Sequence, residues 1–365
     1  MDTPRQSVHF TTTPDGVRIA YAIAGKGPPI VRVPSWMTHL EYDWDNPLLN
    51  HWLKELTQHN TLVRFDQRGV GLSDRDVADI SFDAWVSDME TVVDAAGLER
   101  FAIWGNSQAP AVAVAYAVRH PERVSHMVFL GSYCRGLLVR DPSPAQEERC
   151  ATLRKLIELG WGQNNAEFLQ VFAAQFMPSG SSKIWNLVNE MTRRATSPAT
   201  AVRIRRVVEH LDVSTLAKRV SCPVLVLHSR GDAAAPWEEG RLMASLIPGA
   251  ELVTLDSVNH IVFADEPAWP PMLAALRRFL AQHDGNHAHT PTAVHFGELS
   301  DRERQVLELI ARGLDNAEIA QRLCISPRTV RNHITRVFAK VGATNRAQAI
   351  VRARDAGYGH TGAHA

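Results

Sequence analysis

The chain has 365 residues, 45% of them hydrophobic and 21% charged, with 39 basic and 39 acidic side chains in balance. That length and composition describe two or three ordinary globular domains and exclude a disordered or collagen-like chain. No apolar run approaches the roughly 18–20 residues that cross a bilayer, and Met1 to Ser7 are polar, so a cytoplasmic protein with no membrane partner is expected.

The balance of charge conceals an asymmetry. Residues 291–365 carry 11 basic and 7 acidic side chains, a net +4, against −4 for the residues before them. A basic end on an acidic body suits a polyanionic partner. The four cysteines, Cys134, Cys150, Cys222 and Cys324, are scattered and form no Cys-x-x-Cys pair, so reduced thiols are expected.

From residue 7 to about 280, short β-rich runs alternate with longer helical stretches. The runs are Val17–Ile23, Ile30–Val33, Leu62–Phe65, Phe101–Trp104, Met127–Leu130, Val224–Leu227 and Leu252–Leu255. The central ones are almost continuously apolar, as parallel strands covered on both faces must be. The alternation breaks between Tyr133 and Ser221, where helices are expected over about Ala145–Leu159, Ala166–Met177, Lys183–Ala195 and Ala199–Leu211. This insertion, about 134–221, reads as a helical lid whose aromatic stripe is mostly core.

Within this frame, Gly105-Asn106-Ser107-Gln108-Ala109 follows the strand Phe101–Trp104 and precedes the helical run from Ala111. A Gly-x-Ser-x-small sequence on such a turn thrusts the serine hydroxyl above the sheet, and the Gln108 amide is placed to donate to an oxyanion. A serine needs a base and a carboxylate, and both follow in order. Asp232 lies beyond the strand Val224–Leu227 and His260 beyond Leu252–Leu255, giving the candidate catalytic set Ser107, Asp232 and His260.

These residues resemble the α/β-hydrolase fold over about residues 7–283. Asp66-Gln67-Arg68-Gly69-Val70-Gly71-Leu72-Ser73-Asp74 and His120-Pro121-Glu122-Arg123-Val124 are similar to segments of that family, and both read as scaffold. The resemblance implies a second oxyanion donor from a loop that usually carries His-Gly. Here Val33 is followed by Pro34-Ser35-Trp36, which puts the Trp36 amide in that role and its indole at the mouth of the site. A misplaced donor costs about 3 kcal/mol of transition-state stabilisation, so slow turnover is expected. Trp36, Trp161, Phe172, Trp185 and Trp237 are the expected ligand-pocket side chains.

Residues 284–296 lack periodicity and read as a linker. Its histidines have no helix to set ligand geometry, and no metal or other cofactor is expected. Beyond it, Ser300 with Glu303 forms a capping box, Gly313 stops the first helix, Asn316–Leu323 forms a second, and Ser326-Pro327 opens a third reaching about Val341. Two helices joined by a short turn, the second one basic, present a helix to the major groove of double-stranded DNA. Arg331, Asn332 and Thr335 are placed for base edges, and Arg328, Thr329, Arg336 and Lys340 for phosphates.

Residues 297–357 resemble the DNA-binding domain of the LuxR family, through Leu299-Ser300-Asp301-Arg302-Glu303, Asn316-Ala317-Glu318-Ile319-Ala320 and Ser326-Pro327-Arg328-Thr329-Val330-Arg331-Asn332-His333. The resemblance implies a fourth helix from about Arg346 to Ala356, and a homodimer. The expected architecture is therefore an α/β-hydrolase fold, a mostly parallel sheet with a helical lid, over 1–283, and a small all-α four-helix helix-turn-helix domain over 297–365. Two functions fit: a regulator whose hydrolase-fold domain senses a small organic ligand, or a working serine hydrolase of esters, lactones or amides with an accessory DNA-binding domain.

Overall fold

The computed structural model describes residues 5–161, 163, 166–284, 299–323, 325, 326, 329, 330, 333, 334, 337, 338, 340, 346, 349, 350, 353, 358 and 359. The chain divides into two compact units, Met1–Gly285 and Asn286–Ala365.

The first unit holds eight strands: β1 (Ser7–Thr12), β2 (Arg18–Ala24), β3 (Pro29–Arg32), β4 (Thr61–Phe65), β5 (Phe101–Asn106), β6 (Val124–Leu130), β7 (Val224–Ser229) and β8 (Glu251–Leu255). They form one sheet in the order β1-β2-β4-β3-β5-β6-β7-β8. The β1–β2 and β2–β4 pairs are antiparallel and the rest parallel. β1 is the strand that the apolar runs do not announce. It is an edge strand, mostly exposed, so its sequence needs no apolar face.

The central strands bury both faces, and alternate residues feed two cores. Phe101, Ile103, Met127, Phe129, Val224 and Val226 pack on one side. Ala102, Trp104, Val128, Leu130, Leu225 and Leu227 pack on the other, against Trp52 and Phe279. Helices α1 (Leu40–Asp45), α2 (Asn50–Thr57), α3 (Phe82–Ala95), α4 (Ala109–Arg119), α11 (Trp237–Leu246) and α12 (Trp269–Asp284) complete these layers. Asp284 closes α12, where the sequence suggests the start of a linker, and the remaining linker positions 285–296 lie outside the described residues.

Between β6 and β7 run α5 (Leu137–Arg140), α6 (Pro144–Gly160), α7 (Ala166–Ala173), α8 (Ser182–Ala195), α9 (Pro198–Glu209) and α10 (Ser214–Ala217). The middle four are the lid helices expected from periodicity. α7 stops at Ala173 instead of Met177, and Gln175 and Phe176 continue in turns, their N–H groups donating to Phe172 O and Ala173 O.

The turn after β4 explains why its glycines are there. Gly69 and Gly71 have φ of 82° and 61°, and a Cβ on Gly71 would lie 2.0 Å from Asp66 Oδ2. The buried Asp66 carboxylate accepts from Thr38 Oγ1 at 2.7 Å, Leu40 N at 3.1 Å and Leu72 N at 2.9 Å. It thereby ties this turn to the segment that carries Trp36. Arg68 next to it is clamped by Asp88, with Nη2–Oδ1 at 2.8 Å, and by Asp15.

In the second unit, α13 (Asp301–Ala311) opens on the expected capping box. Ser300 N donates to Glu303 Oε2 at 2.8 Å, and Glu303 N donates to Ser300 Oγ at 3.3 Å. α14 (Asn316–Leu323) has a cap that the sequence reading leaves out: Asp315 Oδ1 accepts from Glu318 N at 2.9 Å while Asp315 N donates to Glu318. Thr329, Val330, His333, Ile334, Val337, Phe338 and Lys340 are helical, as are Arg346, Ala349, Ile350 and Ala353. Val330, Ile334 and Val337 pack on Val306, Leu307, Ile310 and Ile319, and Ala349 and Ala353 close the same core. Of the apolar face expected on the third helix, Val341 lies outside the described residues.

Asp66→Ala leaves two buried N–H groups and a hydroxyl without their acceptor. It is expected to lower unfolding free energy by about 3 kcal/mol or more, read as a fall in urea midpoint at unchanged slope.

Candidate active site

Ser107 ends β5 and precedes α4, and its φ of 60° makes it the non-glycine residue with positive φ among those described. Its N–H donates to Leu130 O at 3.0 Å, which sets the turn on the neighbouring strand β6. A Cβ on Gly105 would sit 3.1 Å from Pro110 N, so strand and helix pack here with little room for a side chain. α4 starts directly afterwards with Pro110 in its first turn.

Asp232 follows β7 and His260 follows β8, and the two converge: His260 Nδ1 lies 2.6 Å from Asp232 Oδ2. The other carboxylate oxygen accepts from Ala234 N and Ala235 N, each at 2.9 Å. Burial works to raise the Asp232 carboxyl, but His260 and the Ala235 amide outweigh it and hold it below the usual carboxylate value. Ser107, Asp232 and His260 are all buried. His260 Nε2 has no hydrogen-bond partner among the described residues, yet it belongs to the same cavity as Ser107.

The backbone N–H groups of Gln108 and Trp36 donate to no acceptor among the described residues. They are the two amides expected to face an oxyanion.

Several supporting residues escape sequence reading. Gly131, at φ 57°, clears space for the imidazole, since a Cβ there would fall 2.8 Å from His260 Cε1. His228 is fully buried and its Nε2 lies 2.8 Å from Ala235 O, bracing the turn whose amides hold Asp232. Desolvation lowers its pKa, which favours the neutral ring. Asn259 Nδ2 donates to Ser179 Oγ at 2.6 Å, and His260 N donates to Phe176 O at 2.8 Å, so the lid is stitched to the histidine loop. Gly131, His228 and Asn259 lie in or within four residues of a strand's carboxyl end, which is their only trace in the sequence, while Phe176 and Ser179 on the lid leave none.

Two cavities meet at Ser107, Trp36 and Phe176. One, about 670 Å³ including its open mouth, is lined by Gln108, Tyr133, Arg140, Arg149, Arg205 and Glu209. The other, about 600 Å³, is largely apolar, with Leu48, Leu49, Phe172, Met191 and Ile261 beside His260. Of the five expected pocket residues, Trp36 and Phe172 line these cavities. Trp161 does not: it is packed behind them, edge-on to Trp36 at 5.9 Å, with its N–H on Thr196 O at 3.1 Å. Trp185 turns its N–H to Met177 O at 3.5 Å, and Trp237 caps Thr254 Oγ1 at 3.0 Å beside Arg230. Each of the three is engaged away from the cavity walls, and Phe176, which lines both cavities, takes the place assigned to them.

On the third helix of the second unit, Arg328, Arg331, Asn332, Thr335 and Arg336 lie outside the described residues. Thr329 sits in the first turn, its N–H on Ser326 Oγ at 3.1 Å. Lys340, expected to meet phosphates, also has a partner within the unit: its Nζ is 2.8 Å from Glu303 Oε2. That ion pair, first among the causes, holds the Glu303 carboxyl down to about 2. Lys340 therefore braces α13 against the third helix, a partnership that spacing along one helix cannot disclose.

Compared with known proteins, residues 28–267 match the family described as alpha/beta hydrolase fold, and residues 297–353 match bacterial regulatory proteins, luxR family. A pyrrolizixenacetamide deacetylase of Xenorhabdus hominickii is 24% identical over 73% of this chain and 96% of its own. A hydrolase from Pseudomonas aeruginosa superimposes with a TM-score of 0.62 at 23% identity, covering 75% of this chain and 98% of that one. An esterase from Exiguobacterium antarcticum gives 0.62 at 20%, covering 74% and 98%. These structures share the fold of the first unit.

With its folded pKa below the ordinary 3.8, Asp232 lends stability that is fully present above that value and lost as pH falls through the lower one. Asp232→Asn should lower stability at pH 7 by about 1–3 kcal/mol. The gap to wild type, followed by urea melts, should begin to narrow only below about pH 4 and close as pH falls further. The same variant should slow fluorophosphonate labelling of Ser107 by on the order of 10⁴, because the imidazole is left in the wrong tautomer.

Proposed function

Since the chain belongs to the alpha/beta hydrolase fold family and carries a luxR-type helix-turn-helix domain behind it, we propose that it is a DNA-binding transcriptional regulator whose hydrolase-fold unit senses a small organic ligand. The observation that carries this reading is the pairing of a paired-lobe cavity under a helical lid with a luxR-family match over 297–353 in one chain. A ligand that binds one lid arrangement better than another shifts the balance between DNA-competent and incompetent states by that difference in affinity. A homodimer reading a two-fold DNA site in the cytoplasm completes the proposal.

A second reading, turnover, is favoured by the 2.6 Å His260–Asp232 bond and the two free amides at Gln108 and Trp36. In it, His260 Nε2 takes the Ser107 proton as Oγ attacks an ester, lactone or amide carbonyl. The oxyanion rests on the two amides, and the proton passes to the leaving group as the acyl bond breaks. Water, deprotonated by the same imidazole, then releases the acid. Slow turnover of this kind would clear the inducer and reset the regulator.

The test is binding of the full chain to the DNA upstream of its own coding sequence, by anisotropy over a series of salt concentrations. Affinity should fall linearly on a log–log plot, and Arg331→Ala should weaken specific binding by about tenfold to a hundredfold. A salt-independent or Arg331-independent complex would overturn the regulator. Ser107→Ala separates the two readings: it should abolish p-nitrophenyl ester hydrolysis while ligand-dependent DNA binding persists.

A further inference from the structure

The two cavities that meet at Ser107 differ in chemistry, and the difference speaks to the ligand. The larger is lined by three arginines and one carboxylate, Glu209. Glu209 is fully buried and already shared: Arg205 Nε lies 2.9 Å from its Oε1, and Arg154 holds its Oε2. Arg140 and Arg149 make no ion pair among the described residues. The Arg140 Nε is buried without an acceptor, and the contact its guanidinium makes is the face of Tyr133, 5.3 Å from the ring centre. Glu239, whose charge also acts on Arg140, pairs through Oε1 with Arg135. Burial pushes Arg140 below its usual pKa, the signature of a cation stripped of water without full compensation.

A half-buried guanidinium facing a cavity with no partner is unfavourable in the empty protein, and its planar fork suits a carboxylate. On the other side of Ser107, the second cavity offers aliphatic side chains and Phe172.

We propose that the ligand is an amphipathic organic acid: an ester, lactone or amide that places its carbonyl at Ser107, a carboxylate on Arg140 in the arginine-lined cavity, and an apolar group in the other. This rests on the reading that the Ser107 cavities form the ligand site. The carboxylate arm spans the gap from the nucleophile to α5, the short helix between β6 and the main lid helices. A ligand engaged at both ends bridges sheet and lid through this helix.

The experiment uses full-length Ser107→Ala, so that no turnover intervenes, and calorimetry with matched probes. The p-nitrophenyl half-esters of glutaric, adipic and pimelic acids are compared with p-nitrophenyl pentanoate, hexanoate and heptanoate, which have the same chains without the carboxylate. At least one acid should bind about tenfold to a hundredfold more tightly than its neutral counterpart, the range of a hydrogen-bonded charge. Adding Arg140→Gln should reduce that ratio to within about twofold, with Arg140→Lys intermediate. Because Arg140 has no ion pair to lose, only its place over the Tyr133 ring, Arg140→Gln should melt close to its parent. If it does not fold, Arg140→Lys and Arg149→Gln read the same ratio. Equal binding of acid and neutral probes, or a preference that survives Arg140→Gln, overturns the proposal and leaves the ligand site standing. Binding of neither probe overturns both.

Discussion

The backbone of Ser107 is the constraint from which the rest of the first unit follows. A non-glycine residue at positive φ is uphill by about 1–2 kcal/mol and survives only where its surroundings leave no alternative. Here the Leu130 carbonyl on β6 holds its amide, while Gly105 and Ala109 let β5 and α4 close around it. β5 is also the strand on which the sheet reverses direction of growth, between β3 and β6, and a crevice opens there beyond the carboxyl ends of the strands. The strands that follow, β6, β7 and β8, lie in sequence beside it. Gly131, Asp232 and His260 consequently reach the same point from three neighbouring strand ends.

The lid is mechanically part of this site. Phe176 offers its ring to both cavities and its carbonyl to the His260 amide, and Ser179 is held by Asn259 next to that histidine. A displacement of the segment after α7 therefore moves the imidazole as well as the wall of the cavity. In a regulator this linkage makes ligand occupancy legible to the lid. In an enzyme it makes the catalytic geometry conditional on closure. One set of bonds serves both.

Among the described residues of the second unit, local electrostatics at helix starts and a long-range ion pair add to the apolar core. Reciprocal caps at Ser300–Glu303 and Asp315–Glu318 satisfy amides that helices leave open. Glu303 then takes Lys340 as well, joining the first helix to the third. A cation that sequence spacing aligns with the phosphate-facing side also helps to hold the two helices together.

The sequence alone determined the α/β layering, the lid, the elbow serine with its acid and histidine, and the capped helix-turn-helix. Each of these depends on periodicity or on residues a few positions apart, which a chain displays directly. Only the tertiary structure decided the partners. It showed Gly131 yielding space to His260, His228 bracing the Asp232 turn, Trp161, Trp185 and Trp237 engaged away from the cavity, and Lys340 paired rather than free. It also left Arg140 unpaired beside Ser107. These outcomes turn on which side chains from distant segments arrive at the same few ångströms, and that depends on the closed packing of the sheet, lid and helices, which local spacing does not encode.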